Sequence, residues 1–359
     1  MNFQIFDRKF RQQGLTCLAA ALGGLLFFAL NLPLPWMLGA LTITLIAALS
    51  GAPIAAPHRI RPYTVVVIGV MLGSGFTTDT FGQLGQWSLS LLGLILCIFL
   101  QAAFVGLFFV RFGRMSPVTA LFAAMPGGVV EMIEIGRRYG GDERAIILAH
   151  AARILMVITL IAIWFRVVLG HEVSGIVTIG KGETDLVDLL ILALCGLLGS
   201  LFGLRLSLPA PTFLGPMLFS AGAHMMGWTA GSPPLWLVVC AQILLGTIIG
   251  SRFTGMPLKR VMHAFGISLV ATILMLGIAV GLAQILHIPF SQDPEQILLA
   301  YAPGGLTEMG LVALSMGADV AYIATHHLFR VIFILSIAGT LLTWMATKLK
   351  PLARDEKVD

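Results

Sequence analysis

The residues able to do chemistry in this 359-residue chain recur as a set. AMPGGVVEMIEIGRRYGGDERAIILAHAAR begins at Ala124, and YAPGGLTEMGLVALSMGADVAYIATHHLFR begins at Tyr301, an offset of 177 positions. Each stretch holds a proline and two glycines, a glutamate three residues later, then a histidine and an arginine three residues apart. The first set is Pro126, Gly127, Gly128, Glu131, His150 and Arg153; the second is Pro303, Gly304, Gly305, Glu308, His327 and Arg330. A carboxylate in apolar surroundings and an imidazole can both exchange protons near neutral pH, so the set suits proton or ion handling. A guanidinium can pair with the carboxylate or hold an anionic group. Two readings fit: Glu131–Arg153 and Glu308–Arg330 are ion pairs fixing local structure, or the set binds substrate and coupling ion.

Proline and paired glycines end one helix and start another. SPVTALFAAM and VVEMIEIGRRYG are each too short to cross a bilayer, as are QILLAYA and LTEMGLVALSMG. They read as the arms of two hairpins with PGG at the tips. Glu131 and Glu308 then fall in the first turn of a second arm, where the helix dipole favours an ionised carboxylate or a bound anion. Arg153 and Arg330 come roughly 12–15 Å into the next span, at 1.5 Å per residue. Charges at that depth face a protein interior or a cavity and find partners. His150 and His327 share a helix face with these arginines. Asp142 and Asp319, each after a glycine and before an apolar run, read as N-caps. His326 and His327 point about 100° apart on a helix, which argues against a shared metal.

A second duplicated motif pairs GVMLGSGFT (69–77) with GTIIGSRFT (246–254), and a third pairs LPLPWMLG (32–39) with LPAPTFLG (208–215). The glycines of the second motif permit close helix packing. Ser74, Thr77, Ser251 and Thr254 could instead line a pathway.

The positions around these motifs are apolar. The chain is 58% hydrophobic and 11% charged, with mean hydropathy +0.95; soluble domains carry about 25% charged residues. Ten long apolar segments, at about 14–30, 34–50, 62–78, 87–110, 145–169, 188–204, 212–228, 235–251, 261–286 and 320–346, fall five to each copy. This predicts an all-α, polytopic membrane protein. Its two repeats occupy residues 1–176 and 177–359 as one intertwined membrane domain, each with about five transmembrane helices and a PGG broken or re-entrant hairpin. If the hairpins enter and leave by one side, each copy crosses an odd number of times and the copies are inverted.

Charge supports that inversion. With the N-terminus cytoplasmic, Arg8, Lys9, Arg11, Arg59, Arg61, Arg111, Arg114, Arg137, Arg138, Arg144, Arg205, Arg252, Lys259 and Arg260 fall inside, as does the basic C-terminus. The acidic stretch 171–188 falls outside. Of the 22 basic residues, only Arg166 and Lys181 lie outside, and Arg153 and Arg330 lie within spans, as the positive-inside rule requires. The same rule accounts for the net charge of +5 without nucleic acid. Cys17, Cys97, Cys195 and Cys240 sit in apolar runs with no metal-like spacing, and no cofactor or metal is expected. The N-terminus reads as an uncleaved first span. Glycine-rich span faces allow a homo-oligomer.

The doubled PGGxxEM…H..R pattern, the doubled GxxxGSxFT and the length together resemble the AbrB-like membrane protein family, over essentially the whole chain. That bacterial family has an internal duplication, and its members are described as transporters, as ammonia monooxygenases and as a regulator of gene expression. The resemblance implies a bacterial inner-membrane location. Broken helices in inverted repeats point to a secondary transporter for a small solute. A monooxygenase needs clustered metal ligands, which the spacing does not supply, and a direct regulator needs an output module. The copies also diverge: Glu134, Arg137 and Arg138 correspond to Leu311, Leu314 and Ser315.

Overall fold

The computed structural model describes residues 2–76, 78, 82, 85, 87–170 and 184–349. Among them every regular element is helical. The first half runs α1 (Asn2–Ala29), α2 (Pro35–Leu49), α3 (Arg61–Gly73), α4 (Ser88–Arg111), α5 (Pro117–Ala124), α6 (Val129–Arg138) and α7 (Glu143–Ile163). The second runs α8 (Leu186–Arg205), α9 (Pro211–Met225), α10 (Leu235–Gly250), α11 (Leu258–Phe290), α12 (Pro294–Tyr301), α13 (Leu306–Ser315) and α14 (Val320–Ile337), followed by α15 (Thr343–Leu349). α7 and α14 both run into a π turn, Trp164–Val168 and Ala338–Leu342.

The backbone repeats where the side chains do not. α5 and α12 share their bounds at the sequence offset, as do α6 and α13. The non-glycine residues with positive φ fall into three pairs: Asn31 and Ser207 (51° and 51°), Leu34 and Ala210 (44° and 48°), Arg114 and Ser291 (50° and 51°). A left-handed conformation costs such residues roughly 1–2 kcal/mol. Its recurrence at unlike side chains means that the chain path, not residue preference, imposes it. Leu34 and Ala210 precede the N1 prolines of α2 and α9, which disfavour the ordinary helical conformation at the residue before them.

Among the described residues, seven helical segments are long and apolar enough to cross a membrane: Phe10–Ala29, Ser88–Arg111, Glu143–Val168, Leu186–Arg205, Leu235–Phe253, Leu258–Phe290 and Val320–Ile337. The other three expected apolar segments form the shorter helices α2, α3 and α9. α2 and α9 have 15 residues and α3 has 13, roughly 20–23 Å at 1.5 Å per residue against about 30 Å of hydrocarbon. α8 exposes Leu186, Leu190, Leu194, Leu197, Leu201 and Leu204, an apolar stripe suited to lipid tails and not to water. The protein is thus a multi-pass helical membrane protein. The central stretch 171–183 and the basic residues beyond Leu349, used in the charge argument, lie outside the described residues.

The chain forms two compact units, and each draws on both sequence repeats. The first unit contains α1–α3 and α8–α10, with residues 310–321. In it, α3 packs on α9 and α10 packs on α2, crossing one repeat with the other. The glycines of GVMLG and GTIIG make those contacts. A Cβ on Gly69 would lie 2.6 Å from Phe213 O, and one on Gly250 2.6 Å from Leu41 O. The second unit contains α4–α6, α11, α12, most of α7 and α14, and the start of α13. It carries both PGG hairpins.

Candidate functional site

Each hairpin begins with a proline at the first helical turn. Ser116 caps α5: its Oγ accepts from Thr119 N at 3.3 Å and lies 2.8 Å from Thr119 Oγ1. Thr119 Oγ1 also accepts from Asp142 N at 2.9 Å, tying the base of the first hairpin to the start of α7. Asp142 is the predicted N-cap, accepting from Arg144 N and Ala145 N at 2.9 and 3.2 Å. Asp293 stands at the N-cap of α12.

The breaks follow from the residue before each proline. Met125 (φ −60°, ψ 127°) and Ala302 (φ −58°, ψ 135°) are driven out of the helical region by Pro126 and Pro303. Gly128, at φ +58°, then turns the chain into α6, a conformation that suits glycine. Gly305 does not share that φ. A Cβ there would instead collide with the Glu308 carboxylate.

The end of α5 leaves carbonyls without helical partners, and Arg153 takes them. Its Nη1 donates to Ala123 O and Ala124 O at 3.2 and 3.3 Å, and its Nη2 to Met125 O at 2.9 Å. In the second hairpin Arg330 Nη1 donates to Ala302 O at 2.5 Å and Nη2 to Gly304 O at 2.6 Å. Both guanidinium groups are buried. Each sits at the negative end of a half-helix, where a cation is favoured. A charge-assisted bond of this type contributes about 1.5–3 kcal/mol, so these arginines clamp the broken ends.

The expected ion pairs are therefore not formed. Neither Glu131–Arg153 nor Glu308–Arg330 is within pairing distance; on α6, ion pairs instead join Glu134 to Arg137 and Arg138. The physical reason is that the carbonyls closing each first arm already engage the guanidiniums. Glu131 and Glu308 occupy the third position of α6 and α13 and lean back over Gly128 and Gly305, where they complement the helix N-termini. Glu131 is exposed; Glu308 is half-buried and accepts from Thr307 Oγ1 at 2.7 Å.

The histidines differ more than their shared spacing predicts. His327 Nε2–H donates to Leu299 O at 2.9 Å, and its Nδ1 accepts from Arg330 Nη2 at 3.0 Å. Those partners require a neutral ring with hydrogen on Nε2. His150 donates Nδ1–H to Ile146 O one turn back, at 2.9 Å. The adjacent His326 points elsewhere, with Nδ1–H donated to Tyr322 O and Nε2 2.7 Å from Ser90 Oγ, as the helical angle between neighbours requires.

The two tips meet. Gly127, Gly128, Gly304, Gly305, Arg153 and Arg330 line one cavity of about 140 Å³, together with His327 and the apolar Val129, Ile154, Leu306 and Val331. The glutamates stand outside its walls. Among the described residues, Nε of Arg153 and Nε of Arg330 are buried without a hydrogen-bond partner. In the same unit, a wider cleft of about 750 Å³ opens at the base of the first hairpin, with Arg114, Arg144, Arg260 and His263 in its walls.

Ser74, Ser251 and Thr254 belong to the first unit. Their hydroxyls donate to Met71 O, Ile248 O and Ser251 O at 2.6, 2.9 and 2.7 Å, which is local helix-end bonding. Thr77 lies outside the described residues. Sequence reasoning missed a buried polar group that supports the second tip. Tyr301 Oη–H donates to Ser90 O at 2.6 Å, and Gln101 Nε2 donates to Met275 O at 3.1 Å and to Tyr301 O at 3.4 Å. Tyr301 opens the second motif, so its position was visible, but a lone Gln101 in an apolar helix gave no partner.

Two half-helix hairpins, buried clamping arginines and a lipid-suited face on α8 define a class: a multi-pass α-helical membrane protein. Residues 36–346 match the family described as Transition state regulatory protein AbrB, and the chain belongs to that family. It is 26% identical over 342 residues to the Escherichia coli (strain K12) protein named "Putative regulator AbrB", covering 94% of this chain and 97% of the relative. It is 24% identical over 345 residues to "Uncharacterized protein YhjN" of Bacillus subtilis (strain 168), covering 89% of each.

Proposed function

We propose that this protein is a secondary transporter that moves a small solute across the bacterial inner membrane by alternating access, with proton or ion coupling. The observation that carries the reading is the meeting of two broken-helix tips and two buried arginines in one cavity within one unit. Non-helical backbone in a membrane protein is tolerated where protein buries it or a cavity is lined by it, and paired discontinuous helices are a recurrent transporter binding site. In this reading the glycine breaks and Arg153 and Arg330 hold the solute. Glu131 and Glu308, beside Gly128 and Gly305, exchange the proton or coupling ion. His327 fixes Arg330, and His150 packs on the face that carries Arg153. Alternating access comes from movement of one bundle against the other, with both chain termini cytoplasmic and the two repeats inverted.

The test is current recording on purified full-length protein in proteoliposomes adsorbed to a solid support, under concentration jumps of small organic acids, amines and amino acids. At least one class is expected to evoke a protein-dependent current. Glu131→Gln and Glu308→Gln are each expected to abolish it while the protein stays monodisperse. Currents no larger than those of protein-free liposomes across the set would refute transport.

The family description and the name of the E. coli relative favour a second reading, an effect on gene expression. On the transport reading that effect is indirect, through the level of the moved solute. Loss of regulation by a variant with intact flux would favour signalling instead. A membrane monooxygenase is the enzymatic alternative, which stoichiometric copper or iron in purified protein would revive.

A further inference from the structure

We propose that the cavity where the two PGG breaks meet binds a small planar oxyanion, of the class of a two- or three-carbon monocarboxylate. The inference rests on the transport reading only in making that anion the solute; the site itself stands on its own geometry.

Four observations converge. The first is donor chemistry. The cavity walls contain two guanidiniums and no carboxylate, because Glu131 and Glu308 lie outside them. The Nη groups of both arginines are taken by carbonyls, whereas each Nε–H is buried and unpartnered among the described residues. A buried N–H without an acceptor is unfavourable, and an anion at the cavity would provide one. The second is helix direction. α6 and α13, each of ten residues, both begin at the glycines of the cavity. Their opening amides and dipoles add positive potential, offset in part by Glu131 and Glu308, which lean back over Gly128 and Gly305. The lining itself, with two guanidiniums and no carboxylate, favours an anion over a cation.

The third is size and polarity. About 140 Å³ corresponds to roughly four or five waters at ~30 Å³ each. Acetate has four non-hydrogen atoms and propionate five. Val129, Ile154, Leu306 and Val331 form an apolar lining suited to the methyl end. The fourth is approach. The wider cleft carries Arg114, Arg144 and Arg260 against a single carboxylate, Asp142, with His263 also in its walls. α7 runs from Arg144 in its wall to Arg153 and Ile154 at the cavity. An excess of positive charge at a cleft concentrates anions before they bind.

Isothermal titration of the purified full-length protein tests this, with sodium acetate, sodium propionate and methylammonium chloride as probes. Gluconate serves as the background anion because it is too large for the cavity. Saturable heat is expected with acetate and propionate, and none with methylammonium. Arg330→Lys keeps the charge and loses the planar fork; Val331→Phe fills the apolar lining. Each is expected to weaken acetate at least tenfold without changing the elution profile. If the lysine variant fails to fold, the Val331→Phe titration decides. The absence of saturable heat with both carboxylates overturns the proposal. So does saturable methylammonium binding, or acetate affinity unchanged in either folded variant. Acetate binding without any solute-evoked current keeps the site and removes the transport reading. Currents without acetate or propionate binding do the reverse.

Discussion

Arg330→Gln isolates what the guanidinium does for the second break. A glutamine side chain is about 2.5 Å shorter than arginine and cannot reach Ala302 O and Gly304 O, which Arg330 holds at 2.5 and 2.6 Å. Each orphaned buried carbonyl costs about 1–3 kcal/mol. Removing a buried charge returns several kcal/mol of desolvation, so global stability reflects two opposed effects of similar size. Local stability does not have that ambiguity, because both lost bonds end at the tip. A loss of about 2 kcal/mol in the free energy of local opening raises exchange roughly 30-fold, at tenfold per 1.4 kcal/mol. Hydrogen–deuterium exchange of the full chain in nanodiscs should show that increase over residues 302–309. There, Met309 N now donates to Gly305 O at 2.9 Å. Residues 123–132, clamped by Arg153, should keep their protection. Unchanged exchange at 302–309, or an equal rise at both tips, would refute the clamp.

Other predictions follow from packing, from the polar support and from topology. Gly69→Ala and Gly250→Ala place a Cβ 2.6 Å from backbone oxygens of α9 and α2. Each should cost about 1–3 kcal/mol and lower the melting temperature measured by intrinsic fluorescence. Gly222→Ala, with no atom within 4 Å of the new Cβ, should leave it unchanged. Tyr301→Phe removes the bond to Ser90 O and should destabilise the protein by about 1–3 kcal/mol in the same assay; an unaltered melt would mean that the bond contributes nothing. In a cysteine-free background, single cysteines at Thr178 and Val358 should react with membrane-impermeant maleimide from opposite sides of oriented vesicles, and same-side labelling would remove the inverted arrangement.

The fold was legible where residue type dictates the backbone. Proline and paired glycine marked both breaks, since no other reading of PGG inside an apolar run satisfies the helix. The offset of 177 carried over from sequence to helix bounds. Span length was less legible: hydropathy counts apolar residues and does not register where a helix stops, so the apolar segments 34–50, 62–78 and 212–228 run past the ends of α2, α3 and α9 at Leu49, Gly73 and Met225. At the site, the expected pairing is not the one formed. Complementary charge suggests that Glu131 and Arg153 find each other. A half-helix end also presents several carbonyls, and against them a single carboxylate on the next helix loses. That competition depends on where the first arm stops, which sequence spacing does not specify. Gln101 and Ser90 were invisible for a related reason, since their partners lie some 200 residues away in sequence.

The two copies keep one device and diverge in another. Both use an arginine from the following span to close the first arm, and both place a glutamate at the third position of the second. Beyond that, α6 is more exposed than α13. Glu134, Arg137 and Arg138 are exposed on α6 and pair at 3.6 and 3.8 Å, contacts worth little at the surface. Their counterparts on α13 include the buried Leu311 and Leu314, beside Met309, Val312 and Ala313. The carboxylates follow suit, Glu131 exposed and Glu308 half-buried. A site between symmetric halves would be open to both sides or to neither. A transporter in any one resting state must admit water along one half and exclude it along the other. On the transport reading, this difference makes the first hairpin the accessible side of the present state. Glu308 is then the carboxylate whose surroundings have the most exposure to gain when access reverses.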